Sequence, residues 1–496
     1  WQMHSIWYSI IIKFRKKRVV PMSRTGNRSP EISKNAVLAV AALTAFLPPF
    51  MLSSVNIALP SIQQDYGASA VWLSWVATSY LLSSAVFLVP AGKMGDIWGR
   101  KRILVLGTWT FILSTVLCPL APTMPFFILL RAVQGAGGSL MLTMGMAILT
   151  SVFPSAERGK ALGVNVASIY LGSSAGPFFG GLLISAFGWA SVFYVNALLG
   201  AVSIFLLKTR VPFEWREGSS KRLDFPGCFV YGASLVAVMY GASILPSAGG
   251  LSLMAAGSGL FAVFIRRMLR SEDPLFEIRL FSGNRVFAFS NVAALINYAA
   301  TYSVAFLLSL YLQYIKDMSP SEAGVVMVTQ PLLQAFLSPY TGKLSDRIEP
   351  GLLASGGMLS TALGLTIFAF LGRETPMAFI FVALVLLGLG FAFFSSPNTN
   401  AIMGSVPSRF YGAASGSVGT MRVLGQMTSM AVITVVFAAL LGSGQITPER
   451  YGTFLVVVRI CFSISSLLCF LGVFFSWFRG NLHGAAAGKG EREEGE

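Results

Sequence analysis

Apolar residues in this chain come in long blocks parted by short polar turns, not on the alternating faces of soluble elements. Fourteen such blocks can be marked, at 36–57, 72–91, 103–121, 124–150, 160–186, 189–208, 224–246, 249–268, 286–314, 320–342, 351–371, 377–403, 412–442 and 452–478. Each is close to the roughly 20 residues a helix needs to cross the hydrocarbon of a bilayer. The pattern predicts an all-α integral membrane protein with 14 transmembrane helices.

Composition supports that class and charge orients it. Of 496 residues 54% are hydrophobic and only 11% charged, with mean hydropathy +0.70. Soluble domains carry about a quarter charged residues, and no soluble core absorbs so much apolar surface. The net charge of +16 could point to nucleic acid, but its distribution argues against that. Among the 36 Lys and Arg, only Lys316, Arg373 and Arg450 fall in one set of alternate loops, and Arg131, Arg422 and Arg459 fall within segments. All the others lie in the tails, in the loops after segments 2, 4, 6, 8, 10 and 12, or on the segment edges that border those loops. Such a bias places those loops and both termini in the cytoplasm. A multi-pass protein of the plasma membrane, with the lipid bilayer and no nucleic acid as partner, is expected.

The ends add less. Residues 1–35 form a basic tail that begins at Trp1, and Met22 reads as the expected start. The apolar run 5–12 is too short to span, and no cleavable signal is evident. The tail 479–496 is rich in Gly, Ala and Glu, so disorder is expected there. Cys118, Cys228, Cys461 and Cys469 lie in apolar stretches without paired spacing, so neither a disulfide framework nor a metal site is read in them. His4 and His483 lie in the tails, which leaves no histidine chemistry for the core.

An internal repeat organises the chain. The loop after segment 2 reads Gly92-Lys-Met-Gly-Asp-Ile-Trp-Gly-Arg-Lys-Arg102, and the loop after segment 10 reads Gly342-Lys-Leu-Ser-Asp-Arg-Ile-Glu-Pro-Gly351. Both begin Gly-Lys-apolar-small-Asp at a basic helix end. The second copy comes eight segments later where a twofold repeat of six would place it after six, and two inserted helices remove the discrepancy. The expected domains are a bundle over 36–208, an insertion over 209–285 and a second bundle over 286–478. In the first loop Gly92, Gly95 and Gly99 permit a tight turn. Asp96 can cap a helix start or pair with a cation of the other bundle. Arg100 and Lys101 keep the loop on the basic side.

At this point a resemblance becomes specific. Gly92-x-Met-Gly-Asp96-x-x-Gly99-Arg100-Lys101 resembles the signature of the major facilitator superfamily between helices 2 and 3. Arg131-Ala-Val-Gln134-Gly135-Ala-Gly137 resembles its helix 4 motif. Gly172-x-x-x-Gly176-Pro177-x-x-Gly180-Gly181 resembles the helix 5 motif of antiporters, and Val55-Asn56-Ile-Ala-Leu-Pro60 resembles helix 1 of the fourteen-helix drug:proton antiporter branch. The resemblance covers 36–480. It implies two six-helix bundles about a central cavity and alternating access by rocking; a monomer without metal or cofactor is expected. It also implies a gate at Gly92, Asp96, Gly99, Arg100, Lys101 and Asp346.

Polar groups inside the segments are the candidate site. An arginine seven residues into helix 4 costs about 2.5–3.5 kcal/mol on insertion scales, so Arg131 should face the interior, as should Arg422. Asn56, Gln134, Asn165, Gln330, Gln334, Asn398, Asn400 and Gln426 are expected to line the cavity or to bridge helices. The glycines at 172, 176 and 180 recur every four residues and also suit close helix packing, while Pro177 adds a kink that packing does not require. One departure from the branch matters: where many members carry an early helix 1 aspartate, this chain reads Phe50-Met-Leu-Ser-Ser-Val-Asn56. All twenty acids lie in tails, loops or segment edges. The coupling proton would then fall to Asp96, Asp346 or Asp65, or to the substrate itself.

The expected function is export of a small amphipathic molecule, coupled to protons or another ion. Uptake or lipid flipping by the same fold, and a membrane sensor without flux, are the other readings. No convergent His, Asp or Ser cluster points to an enzyme. With Arg131 and Arg422 as cavity cations and no midplane acid, neutral or anionic substrates are expected.

The topology is open to direct test. With the four native cysteines replaced, single cysteines at Asp65, Lys316 and Arg373 are expected to react with an impermeant maleimide on intact cells. Cysteines at Lys101, Arg158, Lys221, Arg270, Lys343 and Arg409 are expected to react only after permeabilisation. A soluble loop over 209–285 would remove the fourteen-helix reading.

Overall fold

A computed structural model describes residues 33–480, except 212, 216–222, 408–409 and 443. The tail up to residue 32 with Met22, the positions Lys221 and Arg409, and the tail from 481 lie outside the described residues. Every regular element among those described is a helix. The first bundle holds α1 (Lys34–Tyr66), α2 (Ala70–Trp98), α3 (Arg100–Leu117), α4 (Met124–Val152), α5 (Ser155–Phe187) and α6 (Ala190–Arg210). The insertion is α7 (Phe225–Ser243) and α8 (Ala248–Arg270), followed by the short α9 (Arg279–Gly283). The second bundle holds α10 (Arg285–Tyr314), α11 (Pro320–Met327), α12 (Thr329–Leu344), α13 (Pro350–Ala369), α14 (Met377–Gly404), α15 (Tyr411–Leu440) and α16 (Tyr451–Trp477).

Thirteen of these helices are long and apolar enough to cross a membrane. The difference from fourteen lies in segment 10, expected as one helix over 320–342 and found as α11 and α12, broken at Val328. Pro331 accounts for the break: it has no N–H to give the Met327 carbonyl, and its ring crowds that carbonyl. The ladder resumes one residue later, with the Leu332 amide donating to the Val328 carbonyl at 3.0 Å.

Small residues set the helix spacing. A methyl group at Gly137 in α4 would lie 2.6 Å from the Phe111 amide of α3 and 2.8 Å from the Gly107 carbonyl oxygen. The second bundle repeats the device: a methyl at Gly357 in α13 would meet the Phe394 amide of α14 at 2.6 Å and the Gly390 carbonyl at 2.7 Å. Gly107 follows Gly92 at the same distance as Gly357 follows Gly342. The internal repeat thus extends from the loops into the packing of the helices behind them.

The bundles meet along α1 with α10, α2 with α15, and α5 with α11. The insertion lies over one of these seams. Tyr231, Leu235 and Phe264 of α7 and α8 share an apolar cluster with Leu82 and Val89 of α2 and with Val423 and Met427 of α15. The Tyr231 hydroxyl donates to the Ala85 carbonyl at 3.2 Å. Asp224 caps α7 by accepting from the Gly227 amide at 3.1 Å, and takes both arms of Arg267 from α8 at 2.7 and 2.8 Å. That fork holds the Asp224 carboxyl below the usual carboxylate range.

The glycine contacts yield a paired test with one substitution. Gly137→Ala forces backbone apart and is expected to cost about 1–3 kcal/mol, lowering the thermal midpoint in detergent. Gly163→Ala, where a methyl meets nothing within 4 Å, is expected to be neutral or to stabilise by about 0.5–1 kcal/mol through helix propensity.

Candidate functional site: a cavity between the bundles

The polar groups inside the helices divide between a central cavity and the layers behind it. The cavity has a volume of about 200 Å³ and is walled by both bundles. From α1 come Pro48, Leu52 and Asn56, from α2 Tyr80 and Ser84, and from α5 Tyr170, Ser173 and Pro177. The second bundle supplies Tyr298 and Tyr302 of α10, Gln330 and Gln334 of α12, Phe391 of α14, and Arg422 and Gln426 of α15. None of the lining residues is acidic. Tyr298 and Phe391 form an edge-on pair with ring centres 5.8 Å apart.

Sequence-expected residues fall on both sides of this boundary. Asn56, Gln330, Arg422, Gln426 and Pro177 line the cavity, whereas Arg131, Gln134, Asn165 and Asn398 do not. Arg131 is fully buried one layer back. Its guanidinium stacks 4.7 Å from the centre of the Tyr80 ring, so Tyr80 stands between that charge and the cavity. The Arg131 Nε donates to the Val76 carbonyl at 3.2 Å, and Nη1 donates to Gln134 Oε1. Gln134 is itself tied to Thr115 Oγ1 at 2.6 Å, so it serves the arginine and does not face the cavity. Desolvation explains the arrangement, since a guanidinium in a dry bundle needs carbonyl partners and an aromatic face. Asn165 is buried with no partner for its amide among the described residues. Asn398 lies at the far end of the second bundle, donating to the Ser290 carbonyl at 3.0 Å and accepting from Arg479 at 2.8 Å. Arg459 donates to the Leu371 carbonyl at 2.7 Å, away from the cavity.

The helix 5 glycines split in the same way. Methyl groups at Gly172, Gly176 and Gly180 would collide with Phe46, Ser53 and Ser54 of α1, inside one bundle. Gly181 faces the other bundle: a methyl there would lie 2.4 Å from the Pro320 carbonyl oxygen, and one at Gly324 would lie 2.2 Å from that of Pro177. The bundles therefore touch backbone to backbone beside and just beyond Pro177.

Hydrogen bonds between the bundles gather at that same end. Ser309 Oγ donates to the Asn56 carbonyl at 2.7 Å and Gln313 to the Ile57 carbonyl at 3.1 Å. The Tyr314 hydroxyl donates to Gln63, and the Ser321 amide donates to Ser185 Oγ at 3.1 Å. Gln445 donates to the Gly67 carbonyl at 2.8 Å, and the Ala70 amide to the Gly444 carbonyl at 3.1 Å. Towards the face bearing Lys101, Arg158 and Lys343, the cross-bundle links found among the described residues are Tyr170 with Ser395 and Ser415 with Met146. Among the described residues, more of the cross-bundle hydrogen bonds therefore lie at the end away from the basic face.

At the basic face Asp96 pairs with Arg100 of its own bundle at 3.0 Å. Arg100 also donates to the Ala147 carbonyl at 3.0 Å and to Ser151 Oγ, so it ties α3 to α4. Gly92 is open, a methyl there meeting nothing within 4 Å, and Gly99 adopts the left-handed φ of 103° that turns α2 into α3. Asp346 is exposed. Its loop is held by Asn400, which donates to Ser345 Oγ at 2.6 Å.

The tyrosines were not singled out by sequence, although a phenol within an apolar helix is a signal of a polar wall. The Tyr302 hydroxyl lies beside the Asn56 amide. Neither that hydroxyl nor either Asn56 amide atom has a hydrogen-bond partner among the described residues. Arg479, expected in a disordered tail, is buried instead. It donates to Ser290, Asn398, Ser476 and the Pro350 carbonyl, closing the basic end of the second bundle.

Comparison with known proteins agrees with this architecture. The family model described as "Major Facilitator Superfamily" matches residues 41–430 and again residues 290–495. The riboflavin transporter RibZ of Clostridioides difficile is 28% identical over 442 residues, covering 89% of this chain and 96% of that protein. The multidrug resistance protein Stp of Mycobacterium tuberculosis is 31% identical over 395 residues, 78% of this chain and 73% of its own length. A bacterial homologue of the human lysosomal transporter Spinster, solved inward-facing and unoccupied, superposes with a TM-score of 0.67 at 16% identity, over 91% of this chain and 98% of that one. By sequence and by fold, the chain belongs to the Major Facilitator Superfamily of membrane transporters, which are not enzymes.

Proposed function

We propose that this chain is a drug:proton antiporter-type exporter of small amphipathic molecules, working by alternating access in the plasma membrane with its basic face and both termini in the cytoplasm. The observation that carries this reading is the cavity itself. Both bundles wall it, it lies on the seam where they meet, and among the described residues more of the hydrogen bonds across that seam lie on the side away from the basic face. A rocking of the bundles exchanges the open side. Its lining of tyrosines, a phenylalanine, aliphatic groups and scattered amides suits cargo with a flat apolar body and hydrogen-bonding edges. The likeness to Stp, named for multidrug resistance, supports export. The likeness to RibZ favours a second reading, in which a single aromatic heterocycle is the cargo.

The cavity's charge narrows the class further. Arg131 is screened by Tyr80, which leaves Arg422 as the cation that faces cargo, with no lining carboxylate to neutralise it. Neutral and anionic cargo is therefore favoured over permanent cations. The coupling proton belongs outside the cavity, at Asp96 or another acid of the helix ends, or on the cargo.

Proteoliposomes with an imposed pH gradient test the reading. The neutral probe N-phenyl-1-naphthylamine is expected to move against its gradient, and excess riboflavin is expected to compete only under the second reading. On purified protein the anion 8-anilinonaphthalene-1-sulfonate is expected to bind more tightly than a quaternary ammonium of similar size. Arg422→Ala is expected to weaken the anion about tenfold, the effect of losing a charge-assisted hydrogen bond. Tight quaternary ammonium binding that survives Arg422→Ala would sink the charge argument.

The gate is tested separately. Asp96→Asn removes the charge that holds Arg100 across the turn, and is expected to lower flux well beyond any loss of folded protein. Unchanged flux in that variant would reduce the loop to a turn.

A further inference from the structure

The first turn of α3 begins on Gly99, which has no side chain to cap it. Its amides are met from another part of the chain, the connection between α6 and α7. Glu214 Oε1 accepts from the Lys101 amide at 2.9 Å, and the Trp215 carbonyl accepts from the Arg100 amide at 2.9 Å. The Lys101 ammonium donates back to the Val211 carbonyl, and Arg102 Nε lies 3.7 Å from Glu214 Oε2. The fit is close, since a methyl group at Gly99 would sit 2.5 Å from Glu214 Oε1. Trp215 packs on the main apolar core and anchors the segment.

The opposite connection of the insertion grips the same turn. Asp273, just past α8, pairs with Lys93 near the end of α2. Both chain segments that join the inserted helices to the bundles are therefore bonded to the Gly92–Arg102 turn, one on each side of it. Burial pushes the Glu214 carboxyl above the usual carboxylate range, against the opposing pull of the Lys101 amide and the Arg102 charge. Desolvating a carboxylate is unfavourable, and a connection that served only to join two helices would have no use for one at this position.

We propose that Glu214 is a positioning residue of the basic-face gate: it caps α3 from a distant segment and, with Asp273 opposite, makes the two-helix insertion the holder of the α2–α3 turn. The role follows from what the turn must do. Asp96 and Arg100 meet across it, and Arg100 reaches Ala147 and Ser151 only while the start of α3 stays fixed. A cap from Glu214 fixes that start, and the insertion, seated on the α2–α15 seam, then moves with the turn as the bundles rock. This rests on the alternating-access reading above.

The test uses the full chain, purified, with two readouts. Amide exchange of Arg100–Ile103 reports the cap without any transport, and flux of N-phenyl-1-naphthylamine in proteoliposomes reports the gate. Glu214→Ala is expected to speed exchange there about tenfold. It is also expected to cut maximal flux several-fold at an unchanged half-saturating concentration. Glu214→Gln keeps an acceptor oxygen and is expected to restore both. Unchanged exchange in Glu214→Ala overturns the proposal, and so does flux that falls only in step with folded protein in both variants. Faster exchange in a chain whose wild type moves no probe upholds the cap and overturns the export reading instead.

Discussion

Hydrocarbon accepts no hydrogen bond, so each backbone donor and acceptor carried into the spans has to be matched inside the protein, and polar side chains are turned inward. The helices satisfy the backbone, and the side chains then have two places to go. Hydroxyls mostly turn back onto their own helix, as Thr108 does to Leu104 and Thr434 to Met430. Longer groups need either a second helix or the cavity. Arg131 takes the first course, with carbonyl, amide and ring partners, and Arg422 takes the second. That single choice decides which of the two charges lines the cavity.

Because lipid is as apolar as leucine, helices in a membrane are held together by fit and not by expulsion of water. Here the fit is made where backbones touch. Gly107 with Gly137 and Gly357 with Gly390 set α3 against α4 and α13 against α14, while Gly181 and Gly324 bring the two bundles together. The same residue type thus serves rigid contacts inside a bundle and a contact that must part during transport. What distinguishes the second kind is its surroundings: Pro177 lies within α5 and takes one amide out of its ladder, and the facing helix is broken at Val328 before Pro331.

Much of this was legible in the sequence, for reasons of scale. A span is some twenty apolar residues, and such blocks survive any detail of packing; the two inserted helices followed from the count of those blocks and the displaced Gly-Lys loop. Position across a helix was less legible. Arg131 and Arg422 look alike in sequence, and only the Tyr80 ring, supplied by another helix, separates their roles. The break at Val328 could have been read from Pro331, whereas the cap from Glu214 could not. It depends on a segment more than a hundred residues away reaching an amide on α3.

The asymmetry between the two copies of the repeat follows from that same cap. In the first bundle the turn is gripped by charge, through Asp96, Arg100, Lys101 and Glu214. In the second, the corresponding loop leaves Asp346 exposed and is steadied by the neutral Asn400, while the buried cation is Arg479 at the end of the last helix. A duplicated fold need not keep duplicated turns. The insertion enters between the bundles but attaches to the first one's turn, so the ionic contacts found among the described residues collect on that side. Asp96 and Glu214 thus stand together at the first bundle's turn, and none of the described residues that line the cavity is acidic.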